Sequence, residues 1–332
     1  MFDIMKGIGI ILMLVGHIPP SDELYHFIYS FHMPLFFIVA GIFANTIRAK
    51  DDWRNLINKD AKRLLLPVVV TMLFIILLAP AHYITDGNFN YLITQLLSCL
   101  WAGDTLMTRW GALTSPMWFL ISLFWVRFLF RLLEYGFRNI SLMRDELLVV
   151  SCVLLSYVSV RIHNYMCPTP WGILKGLSAL GFYSIGWYLR HHHVPNFVYI
   201  LLVVVWLCAL RWGGIDMYYY QYDFFILDVL GAVGATWLVY HLSKLISKAK
   251  TLSKVFQWFG VNSLLVFCVT CFDRRTYFVK VIKNLVEDLF QIGISGLWSV
   301  ALHYGIEILL VILIVNIPYI KKIYGGKRMK EI

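Results

Sequence analysis

The chain has 332 residues, of which 60% are hydrophobic and only 14% charged, with a mean hydropathy of +0.71. Soluble globular domains are about 45–50% apolar and about 25% charged, so this composition excludes a soluble globular protein and leaves no room for a large extramembrane domain. The 29 Lys and Arg against 19 Asp and Glu give a net charge of +10. In a membrane chain that excess reports loop topology, and no nucleic-acid partner is expected from it. Of the six cysteines, Cys152, Cys208, Cys268 and Cys271 lie inside apolar runs, where a thiol behaves as a small hydrophobe, so they do not read as a disulfide framework.

Apolar runs of about 17–25 residues, the length a helix needs to cross a bilayer, fall near 2–19, 24–47, 64–84, 116–134, 147–162, 171–189, 195–212, 222–243, 257–273 and 293–319. The expectation is one all-α polytopic membrane domain over residues 1–332 with about ten transmembrane helices. The first run is read as a mature helix, because its core GIGIILMLVG meets His17, Pro19 and Pro20 with no small-residue cleavage site. Ten crossings make the loops alternate. Nineteen Lys and Arg fall in loops after even helices and seven after odd ones, which places both termini in the cytoplasm. The ninth run is short. After it, Phe278, Val281, Ile282, Leu285 and Leu289 form an apolar stripe, expected as an interfacial helix on the outer surface. Segment 90–101 is expected on the same surface, and no internal repeat is visible.

Ionisable residues inside a span are costly and mark functional sites. Lys6 and His17 are eleven apart in the first helix, about 20° past three full turns, so they share a face about 16 Å apart along the axis. Asp3 is placed to pair with Lys6 at i,i+3 spacing. With the N-terminus inside, a cation near the cytoplasm and a titratable base deeper in suit a long anionic ligand presenting its reactive end at His17. The competing reading is a snorkelling Lys6 and a His17 that only bonds a neighbouring helix.

KGIGIILMLVGH, a basic residue, ten intervening residues and a histidine, is followed by FHMPLFFIVAGIF, KRLLLP, the Trp118, Phe119, Leu120 run and WFGVNSLLVF. Together these resemble the membrane acyltransferase family 3, in particular its fucose 4-O-acetylase-like members. The resemblance runs from the first residue through the tenth helix. It implies an integral bacterial cytoplasmic-membrane O-acyltransferase moving an acetyl or other acyl group from cytoplasmic acetyl-CoA (acyl-CoA) to a hydroxyl of a cell-envelope glycan or lipid-linked sugar, with no metal. On it His17 matches the family's essential histidine and Lys6 its basic partner. Where members often carry a second histidine after the NSL motif, SLLVFCVT ends in Thr270 with Cys271 following.

A histidine with an unperturbed pKa of about 6.5 can take a proton from an attacking hydroxyl near neutral pH; acylation of His17 itself, giving two steps, is the alternative. His32, ahead of Pro34, either orients the acyl carbonyl or braces a proline kink. Coenzyme A requires basic groups for its phosphates: Lys59, Lys62 and Arg63 match the family's basic stretch or serve topology alone, and Arg127 lies where topology needs no charge. Glu307 and His303 share a helix face and either carry protons or neutralise a basic residue such as Arg127. Asp228 and Lys175 either line an acceptor cavity or pair with each other, and Trp118 is an interfacial anchor or a sugar contact. The tract His191, His192 and His193 reads as a solvated turn. A transporter or flippase for an anionic or glycan-linked substrate, with Lys6, His17, Glu307 and Asp228 as coupling charges, is the rival class. Oligomeric state is not encoded in any of these patterns.

Overall fold

A computed structural model describes residues 1–17, 21–44, 52–78, 117–140, 143–163, 172–290, 293, 296–325 and 327. The segment 90–101, expected on the outer surface, lies outside them. The described residues are all-α apart from one short hairpin. In chain order the elements are α1 (Phe2–His17), α2 (Asp22–Tyr29), α3 (His32–Ile42), α4 (Asp52–Asp60), a π-helical turn (Ala61–Leu65), α5 (Leu66–Leu78), α6 (Trp118–Gly136), α7 (Arg144–Ile162), α8 (Ile173–Ser178) and α9 (Leu180–His191). There follow α10 (Asn196–Trp212), β1 (Ile215–Asp216), β2 (Gln221–Tyr222), α11 (Phe225–Lys248), α12 (Lys250–Val261), α13 (Ser263–Thr276), α14 (Phe278–Phe290), α15 (Gly296–Ile314) and α16 (Pro318–Tyr324).

Two stretches, Asp22–Ile42 and Phe225–Lys248, are long and apolar enough to cross a membrane. Lys250–Val261 with Ser263–Arg274, bent by 64°, and Trp298–Ile314 with Pro318–Tyr324, bent by 106°, raise the number to four if each pair is one span. Several apolar runs are thus broken where hydropathy showed continuity. The run 24–47 breaks at Ser30 and Phe31, and the run 171–189 breaks at Ala179. The run 257–273 breaks at Asn262, which is fully buried. Its amide donates to the Trp258 and Lys327 carbonyls at 2.8 and 2.9 Å, and its Oδ1 accepts from the Lys327 N–H at 2.9 Å. The asparagine of the NSL motif therefore supplies the partners that a helix break needs.

Helix α1 is the hub, packed on α2, α3, α11, α12 and α13. Ile4, Met5, Ile8, Met13 and Leu14 bury its sides. It meets α12 backbone to backbone: a Cβ on Gly7 would overlap the Phe256 carbonyl oxygen, and one on Gly260 the Asp3 carbonyl oxygen. Gly41 of α3 and Gly186 of α9 do the same against Tyr183 and Ile38. Small residues that let backbones touch are how helices associate without a hydrophobic drive between them. Outward, α7 and α10 expose Val150, Leu154, Val158, Phe197, Leu201 and Val204, a surface suited to lipid. The amphipathic helix expected after the ninth run is α14, with Val281, Leu285 and Leu289 exposed in one row.

Candidate active site

The last turn of an α-helix leaves carbonyl oxygens without intrahelical partners, and at the end of α1 side chains take them up. His17 Nδ1 lies 2.6 Å from the Met13 oxygen. The Tyr304 hydroxyl donates to the Leu14 oxygen, and Arg274 Nη2 donates to the His17 oxygen at 2.7 Å. A carbonyl only accepts, so Nδ1 of His17 carries the proton and Nε2 is left as the basic nitrogen. His32, the first residue of α3, repeats the arrangement, with Nδ1 2.9 Å from the Ile28 oxygen. Its ring lies edge-on to Tyr29 at 4.7 Å.

Both histidines line one cavity of about 430 Å³, with Trp118, Tyr25, Tyr29 and Arg274. The break at Ser30 and Phe31 brings this about, because it lets α3 start with His32 facing the end of α1. Trp118, the first residue of α6, is buried and forms cavity wall; the reading as an interfacial anchor is corrected. The β1–β2 hairpin closes another side, with Asp216, Met217, Tyr218 and Tyr219 on the lining. Asp216 shapes it: Oδ1 accepts from the Tyr218 and Tyr219 N–H groups at 2.9 and 3.3 Å, and Oδ2 from the Tyr25 hydroxyl at 3.0 Å. An aspartate bonding the backbone two and three residues on makes a turn without glycine.

Lys175 and Asp228 do not pair with each other. Lys175 is fully buried, its Nζ 4.3 Å from the centre of the Tyr218 ring and 5.3 Å from that of Trp118. Asp228 accepts the Gly214 and Phe224 N–H groups at 3.1 and 2.9 Å, holding both ends of the hairpin. Lys175 thus lies against ring faces, and Asp228 takes backbone amides from either side of the hairpin.

The other sequence-predicted residues fall into two groups away from the cavity. Lys6 forms the expected ion pair with Asp3 at 2.6 Å and does not line the cavity. Arg127 and Arg131 both bind the buried Asp60, at 2.7 and 2.6 Å. Arg63 lies within electrostatic reach of Arg127 and Asp60 and, like Lys59 and Lys62, is exposed. Lys62 and Arg63 ride on the π-helical turn, a feature common at functional sites. Two guanidiniums thus share one carboxylate.

Glu307 does not neutralise Arg127. Its partners are the Thr270 hydroxyl, which donates at 3.3 Å, and His303 at 3.6 Å; His303 also lies 3.1 Å from the buried Asp273. Thr270, the residue that ends SLLVFCVT, thus bonds to a histidine–carboxylate group between α13 and α15. Asp273, His303 and Glu307 each offer a ligand atom, all within 4.8 Å of one another; an imidazolium shared by two carboxylates accounts for the same spacing without an ion. Sequence reasoning missed Arg274, Tyr25, Tyr29 and the hairpin. In the sequence Arg274 is one of the seven basic residues in loops after odd runs, and no local signal sets it apart.

A helical membrane protein with a histidine-lined cavity at the end of its first helix is what these elements define. Residues 2–317 match the family model of acyltransferase family 3, described as an acyltransferase domain. The chain belongs to that family. No curated protein and no solved structure matches it.

Proposed function

We propose that the protein is a multi-pass O-acyltransferase of the bacterial cytoplasmic membrane, with about ten spans and both termini inside. It takes the acetyl group of cytoplasmic acetyl-CoA and passes it to a hydroxyl of a cell-envelope glycan or lipid-linked sugar. The observation that carries this reading is the convergence of His17 and His32, each with Nδ1 on a backbone carbonyl and Nε2 without a hydrogen bond among the described residues, on one cavity of about 430 Å³. In the reaction His17 Nε2 accepts the proton of the acceptor hydroxyl as its oxygen bonds to the thioester carbonyl carbon. The C–S bond then breaks, and the proton passes from the imidazolium to the departing CoA sulfur. Arg274 faces the developing oxyanion, and His32 lines the cavity beside it.

The donor path follows from helix geometry. His17 and Trp118 both line the cavity. Lys6 is eleven residues back along α1, and Arg127 and Arg131 are nine and thirteen residues on along α6, about 14–20 Å away at 1.5 Å per residue. Lys6 and the Arg63, Arg127, Arg131 group, with Lys59 and Lys62 at its margin, would hold the CoA phosphates while the extended arm brings its thioester to His17. Asp3 orients Lys6. Incubation of the purified protein with radiolabelled acetyl-CoA and envelope glycans tests the proposal. Label in the glycan supports it; glycan or anion uptake by proteoliposomes without any labelled glycan favours a transporter instead.

A further inference from the structure

A second cleft, of about 960 Å³, adjoins the histidine cavity and shares Tyr219 with it. Its walls come from the end of α7, with Tyr157, Arg161 and His163, and from the chain between Tyr219 and Leu227. The rings are fixed by one another. Tyr157 meets Phe225 edge-on at 5.3 Å, Tyr222 lies 5.2 Å from Phe225, and His163 stacks on Tyr220 at 4.7 Å. The Arg161 guanidinium lies 5.5 Å over the Tyr157 ring and its Nε donates to the Tyr157 hydroxyl at 3.2 Å. Beside these held rings, Tyr157, Tyr219 and Phe224 stay 38%, 60% and 58% exposed, so aromatic surface is open to a ligand.

We propose that this cleft seats a neutral oligosaccharide, the part of the acceptor beyond the sugar that reacts at His17. The proposal rests on the acyltransferase reading and adds to it a site and a charge class. Exposed aromatic faces beside held rings, with Gln221, Asp223 and Arg161 among them, match a pyranose, which has a C–H face and a rim of hydroxyls. Among the described lining residues Arg161 and Asp223 supply one charge of each sign, which suits a neutral ligand better than a phosphate or carboxylate. The cleft is more than twice the volume of the cavity and borders it at Tyr219, which places one sugar at the histidines and its neighbours in the cleft. Membrane interfaces also gather aromatic residues, but such a belt requires no cleft, no interleaved hydrogen-bonding groups and no junction with the catalytic cavity.

The test uses the full chain in lipid nanodiscs and saturation-transfer NMR against neutral tri- to hexasaccharides of glucose, galactose, mannose, rhamnose and N-acetylglucosamine, with oligo-uronates as the acidic arm. A neutral oligosaccharide is expected to bind. Tyr157→Ala and Phe224→Ala should each weaken it about tenfold, the loss of one aromatic contact, and Phe224→Trp should retain it. Acetyl-CoA affinity should be unchanged in all three. Oligosaccharide binding of this pattern in a protein that transfers no acetyl group would sustain the cleft and sink the acyltransferase reading. Absence of binding by every neutral oligosaccharide, preference for the uronates, or binding indifferent to both alanine variants would overturn the proposal, the last leaving a membrane-interface belt.

Discussion

Arg274 Nη2 donates a 2.7 Å hydrogen bond to the carbonyl oxygen of His17, joining residues 257 positions apart. The bond ties the end of α1 to α13 and sets a guanidinium on the lining of the histidine cavity. A fixed cation beside a base is placed to stabilise an oxyanion, and removing one such donor typically costs about 10²–10³-fold in kcat. Arg274→Ala is expected to lower kcat by about 10²-fold with little change in donor KM, and Arg274→Lys to restore part of it. Steady-state kinetics that separate kcat from KM check this. A variant altered only in donor KM would place Arg274 in binding.

Lys6→Ala should weaken CoA binding about tenfold, the share of one charge-assisted contact, whereas Lys6→Arg should be tolerated. Arg127→Ala should act in the same direction. Calorimetry with CoA as ligand is the measurement. Unchanged affinity in both alanine variants would move the phosphate site elsewhere.

Asp60 holds two guanidiniums, and both Asp60 and Arg131 are buried. Asp60→Asn should destabilise the protein by about 3–5 kcal/mol, because breaking a buried ion pair leaves charge uncompensated. Adding Arg131→Gln should recover part of the loss. Thermal unfolding in detergent reads both, and additive losses would show that the groups do not act on one another.

Gly7→Ala places a methyl group on the Phe256 carbonyl oxygen. Backbone cannot rotate aside, so a loss of about 1–3 kcal/mol is expected from overpacking. Gly136, with nothing within 4 Å of its would-be Cβ, is the control: Gly136→Ala should be neutral or stabilising by up to about 1 kcal/mol.

The membrane character, the helical class and the Lys6–Asp3 pair could be read from the sequence, because apolar runs and i,i+3 spacing are local signals. The helix breaks could not: the apolar pattern runs straight through Ser30 and Phe31, and Asn262 breaks its run through a contact with Lys327, far along the chain. Nor could the hairpin, where an aspartate rather than glycine makes the turn and MYYYQYDFF looks like the start of a span. Among the site residues, spacing within α1 singled out His17, but its meeting with His32 and Trp118 is tertiary. The proposed pairings of Lys175 with Asp228 and of Glu307 with Arg127 failed for one reason. Each charge found closer partners, in rings, free amides or a neighbouring histidine, that a linear pattern does not display.

Topology is tested by substituted-cysteine labelling in a cysteine-free background. Position 59 should react only with a reagent on the cytoplasmic side, and position 219, on the hairpin, only with one outside. The opposite pattern would reverse the donor path.

Acetyl transfer by His17→Ala, measured with radiolabelled acetyl-CoA beside the wild-type protein and at equal folded concentration, tests the central claim most directly. A general base contributes about 10²–10⁴-fold, and His17 Nε2 is a base nitrogen facing no competing donor in the described hydrogen bonds. The account predicts a loss of at least about 10²-fold with CoA binding retained; transfer at the wild-type rate by well-folded His17→Ala would contradict it.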